Sequence, residues 1–85
     1  MNIKVYYRRN LKMSEGKLAA QVGHCVANMA MKYENFDLPD KIIVLKSSNS
    51  NFEMMKESAD HVQVDLGYTE VDPNTETVLG IFYEE

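Results

Sequence analysis

Leu18, Val22, Cys25, Val26, Met29 and Tyr33 recur three or four residues apart, and no other stretch constrains the fold as much. Apolar side chains at that spacing fall on one side of an α-helix. Ser14 is placed to cap the helix, and Glu15 puts a carboxylate in its first turn, where the helix dipole favours one. Pro39 interrupts the chain beyond the helix, so the expected span is 16–33. Gly23, Ala27 and Ala30 add a strip of small residues, which predicts close packing of the helix on a sheet. A helix of that length in an 85-residue chain leaves room for one small sheet and a single domain, 1–85.

The rest of the chain supplies the sheet. Residues 3–8 are rich in β-branched and aromatic side chains and read as a strand. Ile42-Ile43-Val44-Leu45 is a continuous apolar run, the pattern of a strand covered on both faces. Ser50-Asn51-Phe52-Glu53 fits a capping box and predicts a short helix to about residue 60, with Phe52, Met55 and Ala59 inward. Val62 and Val64 alternate in a brief strand that ends at Asp65. An irregular loop over 66–76 contains Asp72-Pro73-Asn74-Thr75, which has β-turn chemistry, and 77–83 form the last strand. The order β-α-β-α-β-β describes an α/β sandwich with a small, mostly parallel or mixed sheet.

No apolar run approaches the ~20 residues of a membrane-spanning helix, so no membrane association is expected. The opening Ile3-Lys4-Val5-Tyr6-Tyr7 lacks the succession of a secretory signal. Cys25 is the single cysteine, which rules out an internal disulfide and suits a reducing compartment. The expected location is cytoplasmic. Six methionines fall mainly in helical segments and read as core filler.

The net charge of −4 conceals an asymmetry. Residues 1–32 hold six basic side chains against Glu15 alone, a local balance of +5, whereas residues 33–85 hold three against twelve acids, a balance of −9. A basic segment on an acidic protein fits a nucleic-acid face, and it equally fits a solvated basic edge.

Lys17, Gln21, His24 and Asn28 fall at i, i+4, i+7 and i+11, one stripe of the long helix away from the apolar one. Four polar residues at that spacing also make an ordinary solvated face. Lys17, however, lies in the first turn, where free N–H groups and the dipole already favour an anion. Asp65 closes a strand, Thr69 follows four residues on, and Thr77 begins the returning strand. A carboxylate with two hydroxyls can position a water or a ribose hydroxyl, and the same three residues can stabilise their own turn. His24 and Cys25 are neighbours on a helix and point about 100° apart, so they make no nucleophile–base pair. His24 and His61 lack companions for zinc, so no metal is assigned, and no phosphate-binding glycine motif is present.

Residues 4–24 resemble the opening of the type 2 peptidyl-tRNA hydrolase family. The matching positions are Asn10-Leu11-Lys12-Met13, Gly16-Lys17, Ala19-Ala20-Gln21 and His24. A second resemblance lies in Asp65-Leu66-Gly67-Tyr68-Thr69-Glu70, followed by Pro73, Thr75 and Thr77-Val78-Leu79-Gly80, and 41–46 resemble the family's second strand. Ser14 and Glu15 depart from its usual glycine and basic or polar residue, and Asn74 stands where glycine is common. The resemblance implies a small three-layer α/β sandwich with a mixed four-stranded sheet. It also implies cleavage of the ester joining a peptide to the 3′-terminal ribose of tRNA, without metal or cofactor.

By that resemblance Lys17, Asp65, Thr69 and Thr77 are the expected catalytic residues, and Gln21 and His24 line the same cleft. Arg8, Arg9 and Lys12 are expected to attract the tRNA backbone. With no activated serine or cysteine in view, attack by water is the expected chemistry. A non-catalytic RNA-binding domain and a protein-interaction domain are the alternatives from other functional classes. A homodimer is a further expectation, because a thin domain gains burial by association.

Overall fold

The computed structural model describes residues 1–32, 38–65, 71–72 and 74–84. Strand β1 (Asn2–Arg8) leads through a 3-10 turn (Arg9–Leu11) into helix α1 (Glu15–Met31). Strand β2 (Lys41–Ser47), helix α2 (Asn49–Lys56), strand β3 (His61–Asp65) and strand β4 (Thr75–Tyr83) follow. The element order is the one expected. Tyr33, the last residue of the expected apolar stripe, lies outside the described residues.

The four strands form one mixed sheet in the order β2-β1-β4-β3. β1 is parallel to β2 and antiparallel to β4, and β4 is antiparallel to β3. The first three strands therefore end at the same edge of the sheet. Strand alternation separates the two faces. Ile3, Val5 and Tyr7 point to one face and pack with Val78, Phe82, Cys25 and Met29 under α1. Tyr6 and Arg8 point to the other face, where Arg8 lies over the Phe52 ring of α2 with 4.5 Å to its centroid. Phe52 and Leu79 are wholly buried on that side. The result is the helix–sheet–helix sandwich expected, with one thin core on each face.

Four expectations about packing are corrected. β2 is not covered on both faces: Ile42 and Val44 are 46% and 43% exposed. It occupies a sheet edge, α1 lies on β1, β3 and β4, and α2 lies on β1, so neither helix reaches across it. An apolar cleft of about 620 Å³ remains between α1 and β2, lined in part by Gly23, Ala27, Ala30, Ile42 and Val44. The small-residue strip thus faces open space, and a Cβ added at Gly23 would meet nothing within 4 Å. The close approach occurs instead at Gly80 on β4, where a Cβ would stand 2.2 Å from Met29 Sδ and 3.0 Å from Cys25 Sγ.

Helix α2 begins earlier than the capping-box pattern indicated. Ser48 is the cap, its hydroxyl accepting the Asn51 N–H at 3.2 Å, because β2 runs two residues further than its apolar run and delivers the chain there. The methionines divide as well: Met29 is wholly buried, whereas Met31 and Met54 are 67% and 74% exposed. Asn74 adopts φ 66, the left-handed conformation that asparagine tolerates. Its N–H donates to the Asp65 carbonyl at 2.7 Å, joining the two ends of the segment between β3 and β4.

Candidate active site

Helix α1 is capped as the sequence indicated. Ser14 Oγ accepts the Lys17 N–H at 3.2 Å, and the Ser14 carbonyl accepts that of Leu18 at 2.9 Å. The burial of its side chains differs from the reading of one polar and one apolar stripe. The buried ridge is Lys17, Gln21, Cys25 and Met29, each four residues from the next. Its lower half, Cys25 and Met29, rests on the strands around Gly80, and its upper half is polar. His24 and Asn28 lie on the exposed flank. The four polar residues therefore divide between the sheet interface and the surface.

The polar half of the ridge meets the edge where β1, β2 and β3 end. Lys17 Nζ lies 2.8 Å from Asp65 Oδ1, and the two side chains are 8% and 6% exposed. Gln21 Nε2 donates to the same Oδ1 at 3.2 Å. Asp65 is the last residue of β3, facing α1 beside the start of β4. An ionised carboxylate only accepts hydrogen bonds, so Gln21 must turn its NH2 to Asp65 and its carbonyl away. That carbonyl accepts the Thr77 hydroxyl at 2.6 Å.

Thr77 reaches Gln21 because β4 is irregular there. Gln63 pairs with Val78 but Val64 pairs with Glu76, so Thr77 is the extra residue of a β-bulge. Strict alternation would send Thr77 and Val78 to opposite faces; the bulge turns both towards α1. Glu76 takes the other face and pairs with Lys56 at 2.6 Å. Replacing Thr77 with valine should leave the Gln21 carbonyl buried without this donor and cost about 1–3 kcal/mol. Serine should retain most of that stability, and thermal unfolding of the two variants would show the difference.

The other expected residues are placed less centrally. Thr69 lies outside the described residues. His24 exposes its ring and serves the fold through its carbonyl, which accepts Asn28 Nδ2 at 2.9 Å. Asn28 also donates to Gln63 Oε1 at 3.1 Å, fastening α1 to β3. Arg8 turns to the opposite face, where it is ion-paired with Glu53 and stacked on Phe52. Arg9 and Lys12 stay near the end of β1 and share a cavity with Lys46 of β2. Gln63 and Lys46 are not singled out by the sequence; the available signal is Gln63 between two valines and Lys46 directly after the apolar run of β2.

Cys25 is wholly buried and belongs to the core rather than to the polar cluster. Burial pushes its thiol up to about 11, from an ordinary value of 9.0. The folded state thus holds this proton more tightly than the unfolded chain does. The corresponding stability is complete below pH 9 and is lost as pH rises from about 9 to about 11. Alkylation at neutral pH should be slow in the folded protein and rapid in denaturant. Equal rates in the two states would contradict a core thiol.

This geometry stands alongside clear similarities to known proteins. The family described as Peptidyl-tRNA hydrolase PTH2 matches residues 1–85. A Peptidyl-tRNA hydrolase of Thermoplasma volcanium is 33% identical over 97 aligned positions, covering 95% of this chain and 83% of the relative. A Peptidyl-tRNA hydrolase of Thermoplasma acidophilum is 32% identical over 94 positions, covering 92% and 80%. A family match that runs from the first residue to the last, over both the Lys17 helix and the Asp65 strand, decides the assignment: the chain belongs to the PTH2 family of peptidyl-tRNA hydrolases.

Proposed function

We propose that the protein hydrolyses the ester between a peptide and the 3′-terminal ribose of tRNA, with the reaction centred on Lys17 and Asp65. The observation that carries this reading is their 2.8 Å contact where α1 begins and β3 ends. The chain's family and the names of its relatives support the substrate class. The carboxyl edge of an α/β sheet is also a recurrent position for reacting groups.

Water attacks the ester carbonyl carbon directly. Asp65 accepts a proton from that water as the C–O bond forms, leaving a tetrahedral centre with a negative oxygen. Lys17 stabilises this oxyanion: an ammonium has three N–H donors and can contact carboxylate and oxyanion together. One well-placed donor of this type contributes roughly 3–4 kcal/mol to a transition state. Collapse of the tetrahedral centre breaks the bond to the ribose oxygen, which takes the proton from Asp65. The products are a peptide carboxylic acid, which releases its proton to solvent to become the carboxylate, and a free ribose hydroxyl on tRNA.

Gln21 and Thr77 act as positioning residues. Thr77 fixes the Gln21 amide, and Gln21 with Lys17 holds Oδ1 of Asp65. We assign Thr69 to the same carboxylate and His24 to the rim that meets substrate. Incubating the purified protein with an N-acetylated aminoacyl-tRNA should release deacylated tRNA at a rate proportional to enzyme. RNA binding without ester cleavage would replace this reading with that of a binding domain.

A further inference from the structure

We infer that the hollow at the ends of β1 and β2 binds a backbone phosphate of the RNA strand leading into the reaction centre, with Lys46 as an unrecognised member of that site. The inference rests on the hydrolase reading for the identity of the RNA. The hollow has a volume of about 290 Å³ and is lined in part by Tyr7, Arg9, Lys12, Lys46, Arg8 (whose guanidinium is paired with Glu53) and, as its one acid, Glu15.

The state of the cations distinguishes this hollow from an ordinary basic edge. Six of the nine basic side chains are engaged elsewhere. Lys4 lies over the Tyr83 ring, Arg8 pairs with Glu53, Lys17 with Asp65, and Lys56 with Glu53 and Glu76. Lys32 donates to the Asp60 carbonyl, and Lys41 also has a partner. Arg9, Lys12 and Lys46 are the three whose side chains make no ion pair, hydrogen bond or ring contact among the described residues, and all three line this one cavity. With Glu15 they leave an excess of two positive charges. Bringing three cations together is unfavourable until an anion enters, and a singly charged phosphodiester with acceptor oxygens suits lysine and the arginine fork.

Backbone and position agree with this assignment. Lys12 is held at φ 51, a left-handed conformation costing a lysine roughly 1–2 kcal/mol. Residues held in such conformations concentrate at binding sites. Tyr7 and Lys46 are register partners on neighbouring strands, which brings a residue of β2 to the turn that follows β1. Leu18 of α1 also lines the hollow, so it lies on the α1 face, as the Lys17–Asp65 pair does. The sheet order separates it from β3 by two to three strand spacings, on the order of 12 Å. A short run of single strand spans that gap.

The test is equilibrium binding of deacylated tRNA across a salt series, read by fluorescence anisotropy, with hydrolysis by the unmodified protein measured in parallel. Lys46→Ala should weaken binding roughly three- to tenfold and reduce the slope of log K against log salt by about 0.7–0.9. Arg9→Ala and Lys12→Ala should behave alike, whereas Lys56→Ala, which removes a cation already neutralised, should leave the slope unchanged. A Lys46→Ala slope matching that of Lys56→Ala would overturn the proposal, since Lys46 would then only guard the sheet edge. Absence of tRNA binding by the unmodified protein would overturn it too. Turnover without the slope change removes the phosphate site alone. The slope change without turnover removes the hydrolase reading and leaves an RNA-binding hollow.

Discussion

Lys17→Met should lower turnover of a peptidyl-tRNA by at least ~100-fold and also destabilise the fold by about 3–5 kcal/mol. The second effect does not follow from the sequence, which sets Lys17 on a polar stripe away from the apolar one and does not show that it is buried. In the structure its ammonium is held 2.8 Å from a carboxylate that is 6% exposed, and its loss strands that charge. A domain of this size has only about 5–15 kcal/mol in total, so the loss is large. The two effects separate in a double variant. Lys17→Met with Asp65→Leu replaces the pair by apolar groups of similar volume, and replacing a buried pair in this way is often neutral or stabilising. Its unfolding midpoint should return towards that of the unmodified protein while turnover stays lost. Turnover within about tenfold of the original in Lys17→Met, at a temperature where it is folded, would remove Lys17 from the reaction.

The same substitution at two glycines should have opposite signs. Gly80→Ala should destabilise by about 1–3 kcal/mol, because its Cβ overlaps Met29 and crowds Cys25 in a closed core. Gly23→Ala should stabilise by roughly 0.5–1 kcal/mol, since its Cβ enters open space in mid-helix and alanine loses less backbone entropy than glycine. Urea unfolding of both variants measures the contrast. Met29→Ala alone should cost about 2–5 kcal/mol. Combined with Gly80→Ala it should cost less than the sum of the two, because the added methyl occupies space the sulfur vacates. Strict additivity would mean that Gly80 and Met29 do not share that contact.

Much of the architecture was legible because it is local. The length of α1, its Ser14 cap, the order of six elements and the left-handed asparagine at 74 follow from side-chain spacing and backbone preference, which act over a few residues. Chain position and family resemblance identify Lys17, Asp65 and Thr77, and the structure joins them through Gln21.

What remained illegible depends on contacts between distant parts of the chain. Helical spacing states which residues share a stripe, but not how far a stripe turns into the sheet; Gln21 went inward and His24 outward on that account. An apolar run marks β2 as a strand, but only the sheet order makes it an edge with exposed isoleucine and valine. The bulge that aims Thr77 is a mismatch between two strands and is invisible in either alone. The convergence of Lys46 with Arg9 and Lys12 follows from a parallel pairing across some forty residues of chain. Sequence alone determined the elements and the chemical groups available to them. Tertiary structure decided which groups met, because burial and pairing are set by the partner that arrives from elsewhere in the chain.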